Sequence, residues 1–180
     1  MNRYLFLAAF MILLTVSCKK KESSNPKDEL PPITHTGANT FGCLVDGKLF
    51  KPKKKIGSTS VVLQCNYQYF KEQHHFLLGA SNRYEEKGMG FGMIGTSINR
   101  DTIFNYSFAG SGKMSAGYGP SIGFFFQYQT YENSPGEFRI EYFDSLKQII
   151  SGTFWFDAVD TATGKVVQVR DGRFDVQFTY

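Results

Sequence analysis

From about residue 37 to its end, this 180-residue chain places apolar side chains at every second position and almost nowhere at every third or fourth. Successive side chains of a strand point to opposite faces, so a period of two marks half-buried β-structure, whereas an amphipathic helix repeats near 3.6. Phe41, Cys43 and Val45 alternate with Gly42 and Leu44, and Val61, Leu63, Cys65 and Tyr67 alternate with Val62, Gln64 and Asn66. Asp46-Gly47 before Lys48-Leu49-Phe50 reads as a tight hairpin turn. Further strands are read at 76–80, 90–98, 102–108, 122–129 and 138–142. Near the C-terminus, 148–159 reads as one long strand, 160–164 as a turn and 165–170 as the return. Asp171-Gly172 reads as a further turn, after which Phe174, Val176 and Phe178 alternate with Asp175, Gln177 and Thr179. About ten short strands with glycine-rich turns predict an all-β fold, a single antiparallel β-sandwich or β-barrel.

The first 36 residues follow a different logic. Met1-Asn2-Arg3 is basic, Tyr4 to Leu14 is apolar, and Thr15-Val16-Ser17 is small, which is the layout of a signal peptide over 1–17. The apolar run is about half the ~20 residues a spanning helix needs. Cys18 stands directly behind it, although Thr15 holds a place where leucine is commoner in a lipobox. The order predicts that Cys18 is the acylated first residue of a lipoprotein, carrying palmitate or a similar chain. Two or three chains on one residue anchor durably where a single one binds only marginally. Residues 18–36, rich in lysine, acid, serine and proline, then read as the lipidated cysteine and a disordered tether. Residues 37–180 form the folded all-β domain, enough chain for one core. The expected address is the cell envelope, lipid-anchored at the outer membrane on its periplasmic side or at the cell surface, with the membrane as first partner.

The formal charge of +4 is thinly spread, and with export it argues against nucleic acid as a partner. The three cysteines divide into Cys18 and the pair Cys43 and Cys65, both on inward registers. An oxidising compartment permits a disulfide between them; two buried thiols are the alternative. Gly110-Ser111-Gly112-Lys113 has Met114 where a phosphate loop needs serine or threonine, so it reads as an ordinary loop that continues through Gly117-Tyr118-Gly119-Pro120. His74 and His75 are neighbours on a strand and face opposite ways, which suits no shared metal ion. Asp157, Asp160 and Thr161 read as hairpin-rim residues. No nucleophile elbow is present, and Glu137, Glu141 and Asp144 look like a wet strand face, so neither a catalytic set nor a cofactor is expected. Lys51, Lys53, Lys54 and Lys55 follow the first hairpin. They suit a solvated strand edge, or else phosphates of lipopolysaccharide or an acidic glycan.

Aromatic residues make up 16% of the chain and mostly fall on inward registers, as do Phe154, Phe156, Phe124, Phe126 and Tyr128. Trp155 and Phe125 do not. Trp155 shares a face with Thr153 and Asp157, and Phe125 with Gln127 and Gln129. Exposed rings on a β surface stack on sugars or anchor protein partners. The expectation is therefore a non-catalytic binding module of the envelope, taking a glycan or a protein partner through Trp155 and Phe125. A purely structural envelope protein is the alternative, and a hydrolase built from convergent acids comes third.

The stretch 36–47, Thr-Gly-Ala-Asn-Thr-Phe-Gly-Cys-Leu-Val-Asp-Gly, resembles the GANTFGCxVNG opening of an uncharacterised family of small Bacteroidota lipoproteins. Ile150-Ser151-Gly152-Thr153-Phe154 and Asp171-Gly172-Arg173-Phe174-Asp175-Val176 resemble its closing SGTF…DGRFDV strands. Asp46 stands where asparagine is usual in that family. The resemblance implies an exported, lipid-anchored β domain and brings no substrate or catalytic residue with it.

Overall fold

The alternating pattern becomes strand where inward side chains have a common interior to fill. A computed structural model describes residues 25–107, 112–122 and 125–180; the signal segment and Cys18 lie outside the described residues. The strands are β1 (Thr40–Val45), β2 (Lys48–Phe50), β3 (Leu63–Phe70), β4 (Gln73–Asn82), β5 (Lys87–Ile94) and β6 (Ile103–Phe104). They continue with β7 (Ser115–Ile122), β8 (Phe125–Gln129), β9 (Gly136–Asp144), β10 (Ile149–Val159) and β11 (Val166–Gln177). All belong to one antiparallel sheet, ordered β2-β1-β11-β10-β8-β7-β5-β4-β3, with β9 paired to β10 and β6 to β9. The sheet is a curled half-barrel and not a stack of two separate sheets. Its far edge comes back on the chain's end: Tyr67 N donates to Thr179 O at 2.9 Å, and Thr179 N to Cys65 O at 3.0 Å.

Phenylalanine fills the interior. Phe41, Phe91, Phe138, Phe154, Phe156 and Phe174 are all buried, with Phe91 and Phe154 centred 4.8 Å apart and Phe138 and Phe174 5.1 Å apart. Each ring taken out of water contributes about 1.5–3 kcal/mol, and favourable ring geometry adds to that.

Several expectations change here. Cys43 and Cys65 are inward and buried as the register implied, but they are free thiols. The strand order separates β1 from β3, and Cys43 Sγ faces Met89 Sδ at 4.0 Å. Burial pushes both thiols well above their ordinary pKa, which keeps them protonated. Gly117 to Pro120, expected in a loop, belong to β7 because Tyr118 turns inward and is buried. Pro120 is accommodated at a register shift against β8. Phe126 is half-buried against the positions of Gly88, Gly90 and Gly117, which lie on the outer face of the sheet. Gly110 and Ser111 of the excluded phosphate loop, and Phe124, lie outside the described residues.

Asp171-Gly172 is not a hairpin turn. It sits inside the continuous β11 as a bulge, where Phe154 pairs with Gly172 but Phe156 pairs with Val169. Two residues of β11, Arg170 and Asp171, therefore stand opposite Trp155, and Asp171 takes a φ of 52°. A Cβ on Gly172 would overlap the Phe154 ring, so this crossing needs glycine.

The second half of the segment read as a disordered tether is packed on the sheet. Asn25 caps a short 3-10 turn, Pro26–Glu29. Leu30 is buried, and Pro31 lies in the space that the missing Cβ of Gly42 leaves. Residues 34–38 then cross Asp175, whose carboxylate accepts from Thr34 Oγ1 (2.6 Å), Thr36 N (2.9 Å), Thr36 Oγ1 (3.2 Å), Gly37 N (2.7 Å) and Ala38 N (3.3 Å). Asp175 occupies an outward register and yet is only 1% exposed, because this strap covers it. His35 completes the strap: Nδ1 meets Ser151 Oγ at 2.6 Å, and the ring stacks on Tyr142.

Candidate functional site

The bulge in β11 shapes a cleft on the outer face of the sheet. Trp155 points away from the core formed by Phe154 and Phe156, and it is 41% exposed. Directly across on β9 is Glu137, and across on β11 are the two bulged residues. The cleft encloses about 520 Å³; its lining includes Trp155, Glu137, Thr153, Arg170, Arg173 and, from the strap, Ile33.

The polar groups around the indole are held before any ligand arrives. The Arg170 guanidinium lies over the Trp155 ring, 5.4 Å from its centroid. Nη1 of Arg170 donates to Phe156 O (3.1 Å) and Val169 O (2.8 Å), while Nη2 pairs with Asp157 Oδ1 at 2.6 Å. On the other side, Arg139 Nε donates to Glu137 Oε1 at 2.9 Å. Behind Glu137 the Tyr106 hydroxyl donates to its backbone carbonyl at 3.3 Å. Burial first, and the Glu137 charge second, hold the Tyr106 phenol well above its ordinary pKa, so it remains a donor. Arg173 Nη1 donates to Pro31 O at 3.1 Å, and Lys27 pairs with Asp171 at 2.8 Å, tying the strap to the cleft's rim.

Both acids and both arginines of the lining are thus fixed in near-balanced charge around an aromatic plate. Such a surface offers stacking to an apolar ring face, and donors and acceptors to hydroxyls at its edge. The lining is neither strongly cationic nor strongly anionic, and it suits a neutral polyhydroxylated ligand better than a phosphate or a carboxylate.

Other residues singled out by sequence fall elsewhere. Phe125 begins β8 and pairs with Ile122, whereas β8 meets β10 only at Val159 and Gln129. It is not a neighbour of Trp155, and its side chain lies outside the described residues. Glu141 accepts from Thr153 Oγ1 at 3.3 Å, and Asp144 caps the 145–148 turn through Leu146 N and Lys147 N. Asp160 holds its own turn through Ala162 N and Thr163 Oγ1. His74 stacks on Tyr67 while His75 meets Phe70, and the described residues contain no group of three or more metal-ligating side chains. Glu137 was legible only as a member of a wet strand face, and Arg170 only as the end of the returning strand 165–170. The signal for the bulge was a break in parity, since the inward residues Val167 and Val169 are followed by Phe174, Val176 and Phe178.

The fold and cleft define a curled antiparallel half-barrel with a preorganised aromatic cleft on its convex side. The chain belongs to the family described as a domain of unknown function (DUF6252), whose model matches residues 70–176. That span runs from the end of β3 to near the end of β11 and includes Glu137, Trp155 and Arg170. Comparison with curated proteins and with solved structures finds no match.

Proposed function

We propose that the protein is a non-catalytic binding module of the cell envelope, lipid-anchored through Cys18, and that the Trp155 cleft takes a neutral glycan. The observation that carries this reading is the half-exposed indole with one face against Arg170 and hydrogen-bonding groups fixed on both sides. It favours a binding role over a purely structural one, because a structural face has no need of an immobilised arginine over an open tryptophan. The carboxylates near it are engaged in ion pairs and hydrogen bonds, which supports recognition over acid–base chemistry.

Trp155 is the single tryptophan of the sequence, so its fluorescence reports on this cleft alone. Titration of the full chain with saccharides selected on a glycan array is expected to shift or quench that emission. Trp155→Ala removes a stacking contact and weakens binding about tenfold, from roughly 1.5 kcal/mol of stacking. Saccharide binding that leaves the emission untouched and survives Trp155→Ala assigns the ligand to another surface and ends this reading. The anchor has its own measurement. Cells fed labelled palmitate are expected to label the wild type and not Cys18→Ala; label retained by the variant removes the lipoprotein assignment.

A further inference from the structure

A second cavity lies across the sheet, between the segment after β2 and the β4–β5 hairpin. It encloses about 580 Å³, and its lining includes three cations, Lys55, Arg83 and Lys87, one carboxylate, Glu86, and the hydroxyls of Ser58 and Ser60. The segments 51–60 and 82–87 carry six cations against two carboxylates. Of those carboxylates, Glu86 pairs with Lys55 at 3.5 Å between exposed side chains, and Glu85 accepts from Asn82 Nδ2 at 3.1 Å.

This loop is fixed in place. Lys53 N donates to Ser81 O (3.0 Å) and Arg83 N to Lys53 O (2.7 Å), so the loop adds a short parallel bridge to the edge of the hairpin. The Lys53 ammonium lies 4.7 Å from the Tyr84 ring centroid, and Ile56 N donates to the Tyr84 hydroxyl at 3.4 Å. At the turn, Ile56 is 97% exposed and stands between Lys55 and the two serines of the cleft. Leu146 at the 145–148 turn is as exposed, but it has no such cation cluster around it. Beside a cluster of cations and hydroxyls, Ile56 matches the interface of an anionic bilayer, where headgroup phosphates meet cations and the apolar tip meets the acyl boundary. The 3-10 turn Pro26–Glu29 packs on β2, the strand from which the loop departs.

We propose that the cleft formed by Lys55, Arg83, Lys87 and Ser58 binds the phosphate headgroup of an anionic lipid, with Ile56 seated at the bilayer interface. The site is independent of the Trp155 cleft and of any sugar bound there. It turns the domain itself towards the membrane and leaves the outer face of β9, β10 and β11 to its own ligand.

The test measures partition of the full chain into phosphatidylglycerol-containing vesicles and into pure phosphatidylcholine vesicles. The apolar segment 4–14 and Lys19 to Lys21 contribute equally to every variant, so the readout is the change in preference between parent and variant. Lys55→Ala/Arg83→Ala/Lys87→Ala is expected to reduce the phosphatidylglycerol preference about a hundredfold. Ile56→Asp, at a site too exposed to disturb folding, is expected to reduce partition into both vesicle types severalfold. Glycerol phosphate in solution should shift amide resonances of residues 55–60 and 81–87 in the parent and not in the triple variant. An unchanged preference in the triple variant together with unchanged partition of Ile56→Asp overturns the proposal. Resonance shifts with glycerol phosphate or inorganic phosphate but no loss of vesicle preference identify a soluble phosphate site, and overturn the assignment to lipid.

Discussion

Alanine at position 175 is expected to lower the melting temperature by about 6–12 °C, the shift that about 3 kcal/mol produces in a protein of this size. The Asp175 carboxylate accepts from three backbone amides and two hydroxyls of residues 34–38, and alanine offers none of them an acceptor. A hydrogen bond to a charged group is worth about 1.5–3 kcal/mol, but the strap can lift into water, which caps the total well below the sum. Burial alone would raise the Asp175 pKa; the hydrogen bonds from Thr34, Thr36, Gly37 and Ala38 outweigh it and leave the group below its ordinary value. A carboxylate depressed in the folded state stabilises fully above its unfolded pKa of about 3.9, and that contribution is lost as pH falls through the folded pKa. Thermal unfolding followed by circular dichroism should therefore show the wild type losing stability below about pH 4 more steeply than Asp175→Asn. Equal slopes for the two proteins would show that the strap does not depend on this charge.

Alanine at position 152 is expected to cost about 3 kcal/mol or more, at or beyond the upper end for an overpacked site. A Cβ there would overlap the carbonyl oxygen of Arg139 in the neighbouring β9, which is backbone and cannot rotate away. The register between β9 and β10 shifts at this point, Ser151 pairing with Tyr142 and Gly152 with Ile140, and the close approach belongs to that shift. Gly79→Ala is the matched control, because its Cβ would meet only the Gln64 side chain at 3.5 Å. Urea denaturation is expected to move the midpoint of Gly152→Ala far below the wild type and that of Gly79→Ala little. Two similar midpoints would mean that β9 yields more readily than its pairing suggests.

Residues 36–39 and 175–177, far apart in the sequence, meet in space and hold the fold. Thr36, Gly37 and Ala38 are the donors and Asp175 the acceptor, while Asn39 Oδ1 accepts from Gln177 N at 3.0 Å. Alternation alone was enough to read β1, β4, β10 and the inward faces of Phe154, Phe156 and Phe174, since the apolar residues of those strands keep one parity towards the core. It failed where a second layer covers the outer face. Asp175 looked solvated because nothing in its neighbours announces the strap, and the strap looked disordered because its hydrogen bonds are made with residues more than a hundred positions away. It failed again at Asp171-Gly172, where the same dipeptide chemistry serves a hairpin turn and a bulge. Trp155 was legible as outward; its partner Arg170 was not, because only the bulge turns that side chain over the indole.

The strand order has a consequence for the sequence of events in folding. β11 follows the other described strands in the chain, yet it lies between β1 and β10, and residues just beyond it pin β3. The β1–β2 hairpin joins the rest of the sheet through β11 alone. An emerging chain can assemble β3, β4 and β5 as a local meander, but the β1–β2 hairpin must wait for β11, a long-range closure that slows folding. Until Val166 to Gln177 arrive, the hairpin that carries Phe41 and Phe50 lacks the strand that joins it to the sheet.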